Sequence, residues 1–429
     1  MSDQVIRLMS ELVGSANVES TSVATRHGLT AIPLVSPGSR DECAACLELA
    51  AREGWATVAA GAMGWLDCGN PLARADVVLS VRRMNRIVDY SPPDLTLVGE
   101  AGVTLGHLKA ETRGRRQWLP VDSPGGNSVT VGAMAACNSS ATLRLGFGSP
   151  RDYIIGLRLA HADGRSSKSG GRVVKNVAGY DMNKLYVGSC GTLALITEVT
   201  FKLRPLYERD ATVLASTPDT NLLLEFARRV LDSRDLLPAS VFYVRGLSSQ
   251  PNPAVGVRFV ESDSVVTHQV ERIRSMIDEL AAETAISRTA GVDTIDGEPS
   301  EGFWRLVGDF DSETTLTLKL SVPRASVFEA IGRCIELAPE GAFTADLGMG
   351  VVRVTTNNER ATGIQLVEQL RGLARPLDGT LFVERAPLEL KNKIDSWGEV
   401  GSSAELMRGI KRELDPAGLL SPGRFAAGI

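Results

Sequence analysis

The chain has 429 residues, enough for two or three domains. Its formal net charge of −5 offers no basic surface to a nucleic acid or other polyanion. No apolar run is long enough to span a bilayer, so direct membrane insertion is not expected.

The N-terminus, Met1-Ser-Asp-Gln-Val-Ile-Arg-Leu-Met-Ser-Glu-Leu, reads as a short charged amphipathic helix without the apolar core of a signal peptide. A cytoplasmic location follows, at the membrane only through partners. Residues 17–28 read as a polar connection. The first domain opens with Ile32-Pro-Leu-Val. Apolar residues at helical spacing predict a helix over 41–53, with Gly54 as its C-terminal cap. A strand, Ala56-Thr-Val-Ala-Ala, runs into the loop Gly61-Ala-Met-Gly-Trp-Leu-Asp-Cys-Gly-Asn-Pro. Further strands are expected at 77–81 and 95–99, then a helix over 104–113 and an edge segment Gln117-Trp-Leu-Pro.

Small residues then dominate from Pro120 to Pro205. The turn Ser123-Pro-Gly-Gly-Asn-Ser leads to Thr130, a side chain suited to an N-cap. The run Val131-Gly-Ala-Met-Ala-Ala would then present a helix N-terminus to a phosphate. One glycine pair alone is an ordinary surface turn. Several clustered turns point instead to a phosphate-bearing cofactor approached by backbone.

The segment Gly171-Arg-Val-Val-Lys-Asn-Val-Ala-Gly-Tyr-Asp-Met-Asn-Lys-Leu, continued by residues 188–198, makes a more specific match. It resembles the vanillyl-alcohol oxidase (p-cresol methylhydroxylase, PCMH) type of FAD-binding flavoprotein. Within that type it is most similar to the FAD-binding subunits of bacterial glycolate oxidases. The resemblance runs from about Ile32 to the C-terminus. It implies an α+β fold: a PCMH-type FAD-binding domain of two α/β subdomains, then a ferredoxin-like antiparallel sheet with helices. Expected boundaries are 1–31 for an N-terminal helix and linker, 32–207 for the FAD domain, and 208–429 for a cap or substrate domain. The last roughly 25 residues, within Lys411-Arg-Glu-Leu-Asp-Pro-Ala-Gly-Leu-Leu-Ser-Pro-Gly-Arg-Phe and its tail, would return to the FAD domain.

The same resemblance assigns residues to FAD. Gly61, Ala62, Met63 and Gly64 stand where relatives carry three glycines and a threonine. Only the first glycine is kept, and Met63 is poorly suited to φ > 0. Pro124, Gly125, Gly126, Asn127 and Ser128 form the second turn, followed by Val131, Gly132 and Ala133. Asn138, Gly148, Gly191 and Ile196 complete the set. No His lies in 61–69, so FAD is expected to be held non-covalently. Lys175, Asn176, Tyr180 and Asp181 match the signature near the flavin. Without the resemblance Lys175 reads as an exposed or ion-paired lysine, and Tyr180 as a core aromatic.

After residue 205, helices and strands alternate, as in an antiparallel sheet backed by helices. Residues 290–302 read as a polar surface loop. Two-domain hydroxy-acid dehydrogenases that the chain resembles use a histidine-rich metal motif and a later Glu-His pair. Here Ala345-Asp-Leu-Gly-Met-Gly-Val-Val-Arg-Val places Asp346 where His is common, and Glu384 is followed by Arg385. The four histidines, His27, His107, His161 and His268, lie elsewhere, so no metal site is expected. Glu384, Lys175 and Tyr180 are the catalytic candidates, and Glu384 is equally an ion-pair partner for Arg385 or Arg353. Six cysteines are scattered; Cys43 and Cys46 share a helix, and Cys68 reads as a buried thiol.

The implied function is an FAD-binding subunit of a glycolate (2-hydroxy acid) oxidase complex. A second flavoprotein subunit and an iron–sulfur subunit would take its electrons. The alternatives are a non-catalytic flavin-binding scaffold, or a stand-alone oxidase of another alcohol or sugar.

Overall fold

A computed structural model describes residues 2–21, 32–172, 179–247, 250, 252–284, 291–309, 316–357 and 360–429. The chain divides into two compact units. The first comprises Met1–Ser140, Ser149–Pro205 and Leu388–Ile429; the second comprises Ala141–Gly148 and Leu206–Pro387.

The first unit holds two main sheets. Strands β1 (Val18–Thr21), β2 (Ile32–Val35), β3 (Thr57–Ala60) and β4 (Val77–Ser80) form one, in the order β1-β2-β4-β3. β2 and β3 lie parallel to β4, and β1 is antiparallel to β2. The second is antiparallel and built from β5 (Ile87–Ser91), β6 (Thr96–Glu100), β8 (Ile154–Ala160), β9 (Ser166–Gly170) and β10 (Leu195–Lys202). Its order is β5-β6-β10-β8-β9. A short pair, β7 (Gln117–Trp118) with β11 (Arg204–Pro205), closes the layer.

Local chemistry sets the helix limits. Ser39 accepts the Glu42 N–H at 3.1 Å and starts helix Arg40–Glu53, and Gly54 ends it in the left-handed region. Helix Ser2–Val13 buries Val5, Met9 and Val13 in the main core. Burial of such a side chain stabilises by about 1.5–3 kcal/mol. The polar connection expected from residue 17 is in part a strand. Val18–Thr21 pairs with Ile32–Val35, and its polar residues reflect its place at the sheet edge.

The second unit is one eight-stranded antiparallel sheet. Its strands are β12 (Arg209–Ser216), β13 (Ser240–Arg245), β14 (Ala254–Glu261), β15 (Gly291–Asp296), β16 (Leu316–Ser321), β17 (Ala342–Asp346), β18 (Val351–Thr356) and β19 (Thr380–Arg385). Their order is β15-β12-β14-β13-β17-β18-β16-β19. The surface loop expected over 290–302 is instead β15 followed by helix Glu298–Gly308. β15 pairs only with β12 and is largely exposed, so it lacks the alternating apolar pattern of an inner strand.

The C-terminal segment of the first unit is fixed by a buried cation. Lys411 Nζ donates to the Thr192 carbonyl at 2.7 Å, the Leu420 carbonyl at 2.9 Å and the Asp415 carboxylate at 2.6 Å. Asp415 also accepts the Leu419 and Leu420 amides. Leu419 and Ser421 in turn bond Thr57, at the start of β3. Lys411→Met would strand a buried carboxylate, which typically costs about 3–5 kcal/mol. Chemical denaturation should show a loss of that size; a loss below about 1 kcal/mol would mean the network is dispensable.

Candidate functional site

A cleft opens in the first unit. One wall is the loop after β3, with Gly61, Met63, Gly64, Trp65 and Leu66. A second is helix Val131–Cys137, through Gly132, Ala133, Ala136 and Cys137. The turn at Cys190 and Gly191, the start of β10 and Arg424 complete it.

The two glycines of the first loop do different things. A Cβ on Gly61 would stand 2.0 Å from Thr130 Oγ1, so this glycine is required by packing against the helix cap. Gly64 also lines the cleft, and a Cβ on it would meet nothing within 4 Å. Met63 adopts φ 68, contrary to the sequence expectation. Left-handed backbone costs a non-glycine residue about 1–2 kcal/mol, so packing holds the turn against that preference. Met63 packs on the small core of Ile32, Leu34, Val58 and Val78. Among the described residues, no hydrogen bond from the chain occupies the Ala62, Met63 and Gly64 amides. A turn of this kind leaves N–H groups for an anion.

Helix Val131–Cys137 does not. Thr130 caps it as expected, accepting the Ala133 N–H at 3.4 Å. The Val131 N–H is bonded to the Val103 carbonyl and the Gly132 N–H to the Ala101 carbonyl, both at 2.8 Å. Its first amides are therefore taken, and the expected phosphate-facing N-terminus is withdrawn. Gly132 and Ala133 both line the cleft, but a Cβ on Gly132 would stand 2.7 Å from the Ala101 Cβ, so that glycine is required by packing.

Of the other sequence candidates, Gly191 and Ile196 line the cleft, and Gly191 takes φ 72. Ala62 is exposed. Pro124, Gly125, Gly126, Asn127 and Ser128 form a turn outside the cleft lining, with Gly125 at φ 90 and Gly126 at φ 58. Val131 is buried in the core. Asn138 ends its helix at φ 45 and accepts the Arg151 amide. Gly148 ends helix Arg144–Phe147 and belongs to the second unit. Tyr180 is 95% exposed, not a core aromatic. Lys175 and Asn176 lie outside the described residues.

Sequence reasoning missed Arg424, Cys137 and Cys190. Arg424 is buried and donates to the Leu66 carbonyl at 2.7 Å and the Cys190 carbonyl at 3.5 Å, tying two walls of the cleft together. Ser421, beside it in the chain, has a buried hydroxyl without a hydrogen-bond partner and stands about 4.0 Å from where a Gly191 Cβ would be. Free loop amides, an unsatisfied hydroxyl and glycine-lined walls fit a cofactor bound largely through backbone. No group of His, Cys, Asp and Glu side chains suited to a metal ion occurs among the described residues.

The second unit carries the titratable candidates. Glu384 is held by Arg353, Nε to Oε2 at 2.9 Å. Asp346 is 4% exposed and accepts the Met349 amide at 3.1 Å. Burial pushes its carboxyl up to about 7, against the pull of that amide, Arg353, Arg144 and the Gly348 amide.

Comparison with known proteins bears on the fold and the cofactor. Residues 32–169 match the model of an FAD binding domain. The chain is 27% identical to an uncharacterized FAD-linked oxidoreductase of Mycobacterium tuberculosis, over 99% of both chains. It is 25% identical to glycolate oxidase subunit GlcD of Bacillus subtilis, over 92% of this chain and 88% of the relative. It is 38% identical to glycolate oxidase subunit GlcE of Escherichia coli over 30% of this chain and 37% of the relative. In fold it is similar to p-cresol methylhydroxylase, with a TM-score of 0.74 at 14% identity, covering 100% of this chain and 96% of that one. The architecture is the PCMH-type FAD-binding fold. FAD is the cofactor, and the chain is an FAD-dependent oxidoreductase.

Two outcomes follow from the site. Gly64→Val should fold with near-native thermal stability yet lose flavin, whereas Gly61→Ala should lower stability through its clash with Thr130. The ratio of flavin absorbance to protein, read beside the melting temperature, separates them; normal flavin content in Gly64→Val would take this loop out of the site. For Asp346, a folded-state pKa above the unfolded value means the unfolded chain ionises first as pH rises. Stability is then lost between about pH 4 and 7 and stays low above, by on the order of 4 kcal/mol. Asp346→Asn keeps the acceptor for Met349 and should be stabilised over wild type at pH 8.5, much less so at pH 5. An offset that does not vary with pH would rule out a buried acid.

Proposed function

We propose that this chain is a flavoprotein subunit of a 2-hydroxy-acid dehydrogenase complex, with glycolate as the leading substrate. It would pass electrons to a second flavoprotein subunit and an iron–sulfur subunit. The observation that carries this reading is the pairing of a cofactor cleft with a sheet whose base candidates are compromised. Positions 345–353 and 384–385 contain no His. Glu384 is engaged by Arg353, and Asp346 is buried. The similarity to two chains named as glycolate oxidase subunits supports the choice of substrate and the multi-subunit assembly.

Bound FAD supplies a two-electron acceptor for the carbon that bears the hydroxyl. The chain's own part in binding is backbone placement. The loop amides at 62–64 offer hydrogen bonds to the cofactor's anionic groups, and Arg424 holds that loop against the Cys190 turn. The absence of His from residues 61–69 favours non-covalent attachment.

One observation favours a second reading, a dehydrogenase that works alone. A carboxyl raised to about 7 is matched to proton transfer at neutral pH, a contribution commonly worth about 10²–10⁴-fold in rate.

Acid precipitation should release the yellow flavin into the supernatant; colour retained in the pellet would establish a covalent link. Anaerobic glycolate should bleach the flavin slowly or not at all in the isolated chain, and rapidly once the partner subunits are added. Rapid bleaching by the isolated chain, lost in Asp346→Asn, would establish the second reading instead.

A further inference from the structure

Helix Ser403–Leu414 divides sharply into two faces, yet its single buried residue is Lys411. Leu406, Ile410 and Leu414 recur at four-residue spacing, the pattern of a stripe that packs against something. The chain covers that stripe only in part. Ile410 and Leu414 are half-buried against the main core, and Leu406 is 69% exposed. A groove separates the stripe from Leu185, on the short helix Asn183–Tyr186. Its lining is otherwise Gly409 and two carboxylates, Glu405 and Glu413.

A glycine costs a helix interior about 1 kcal/mol relative to alanine. Nothing in the fold requires Gly409, because a Cβ there would meet no atom within 4 Å. Bare backbone in an open groove instead lets another chain approach closely. Glu405 and Glu413 make no ion pair or side-chain hydrogen bond among the described residues. They are eight residues apart, which is about 12 Å along the axis. An apolar floor between two unneutralised carboxylates matches an apolar row flanked by cations, as when one helix lies in the groove of another protein.

We propose that this groove seats an amphipathic helix of a partner subunit, one that carries an apolar row between two lysines or arginines about 12 Å apart. The inference rests on the multi-subunit assembly of the proposed function and names the surface that serves it. A second copy of this chain is a poor occupant, because its formal net charge of −5 brings like charge to the acidic rim. The position also suits electron transfer. Lys411, on the far side of the same helix, binds the Thr192 carbonyl beside the cleft-lining Gly191. A partner seated in the groove lies one helix diameter, about 10 Å, from that contact.

The test uses the full chain and a fluorescein-labelled synthetic helical peptide with a leucine row flanked by lysines at that spacing. Fluorescence anisotropy should show binding, weakened about tenfold or more when glutamates replace the peptide's lysines or when the chain carries Glu405→Gln and Glu413→Gln. Leu406→Asp should abolish binding while melting temperature and flavin content stay at wild-type values, since the side chain is mostly exposed. Gly409→Gln should raise the melting temperature yet block the peptide; a glycine needed only by the fold would lower it on substitution. Co-purification with the second flavoprotein subunit and the iron–sulfur subunit should succeed for wild type and fail for Leu406→Asp. Equal affinity for both peptides, or assembly that survives Leu406→Asp, would overturn the proposal. So would a concentration-dependent dimer lost in Leu406→Asp, which would seat a second copy in the groove. Selective peptide binding by a wild-type chain that assembles with neither subunit would instead overturn the proposed function and leave the groove as the seat of a different basic helix.

Discussion

The buried ammonium of Lys411 is the constraint on which the cleft depends. It joins the Thr192 carbonyl, next to the cleft-lining Gly191, to the closing segment at Leu420. That segment carries Ser421 and Arg424 and bonds the first residue of β3. β3 leads directly into the 61–65 turn. A buried cation lacking such partners would be severely penalised. Here one carboxylate and two carbonyls satisfy it, so three stretches remote in sequence are held in register. The cleft walls inherit their positions from this node, and the mixed chemistry of its partners makes the closing segment specific.

Few charged side chains line the cleft, and its polar character comes from backbone: among the described residues, the amides at 62–64 are unclaimed. Met63 shows that the backbone shape, not the glycine, is retained: packing on Val58 and Val78 holds it at φ 68. Gly61 is there for another reason, the Thr130 side chain, and would be needed in an empty protein as well. Glycines that match a binding pattern thus divide into those that admit a ligand and those that admit a neighbouring helix. Only the local contacts distinguish them.

Local chemistry was legible in the sequence and long-range chemistry was not. The cap at Thr130 and the left-handed Gly54 act within one helical turn, and each lies where residue type predicts. Both unexpected strands, Val18–Thr21 and Gly291–Asp296, are sheet edges with polar faces, so periodicity could not reveal them. Arg424 sits in a recognisable closing motif, but nothing near it indicates that its guanidinium reaches Leu66, 358 positions earlier. The phosphate role expected of helix Val131–Cys137 failed because Ala101 and Val103 occupy its amides, a pairing between distant segments that no local pattern encodes.

Two buried aspartates in the second unit show why burial alone does not mark a functional acid. Asp210 is gripped by Arg258 through Nε at 3.0 Å and a terminal nitrogen at 2.5 Å, and it accepts the Ser300 hydroxyl at 2.8 Å. Its charge is fully compensated, and the Thr212 hydroxyl and the Trp304 indole N–H extend the network. Such a carboxylate is structural. Asp346 lies on β17 of the same sheet and is as deeply buried, but its direct bonds come from backbone amides at 348 and 349, not from a guanidinium. Arg353, one of the two arginines whose fields reach it, is itself engaged by Glu384. The Arg353–Glu384 pair therefore shares with Arg144 in setting the positive field at Asp346. Removing Glu384 would release Arg353 toward Asp346 and favour its ionised form.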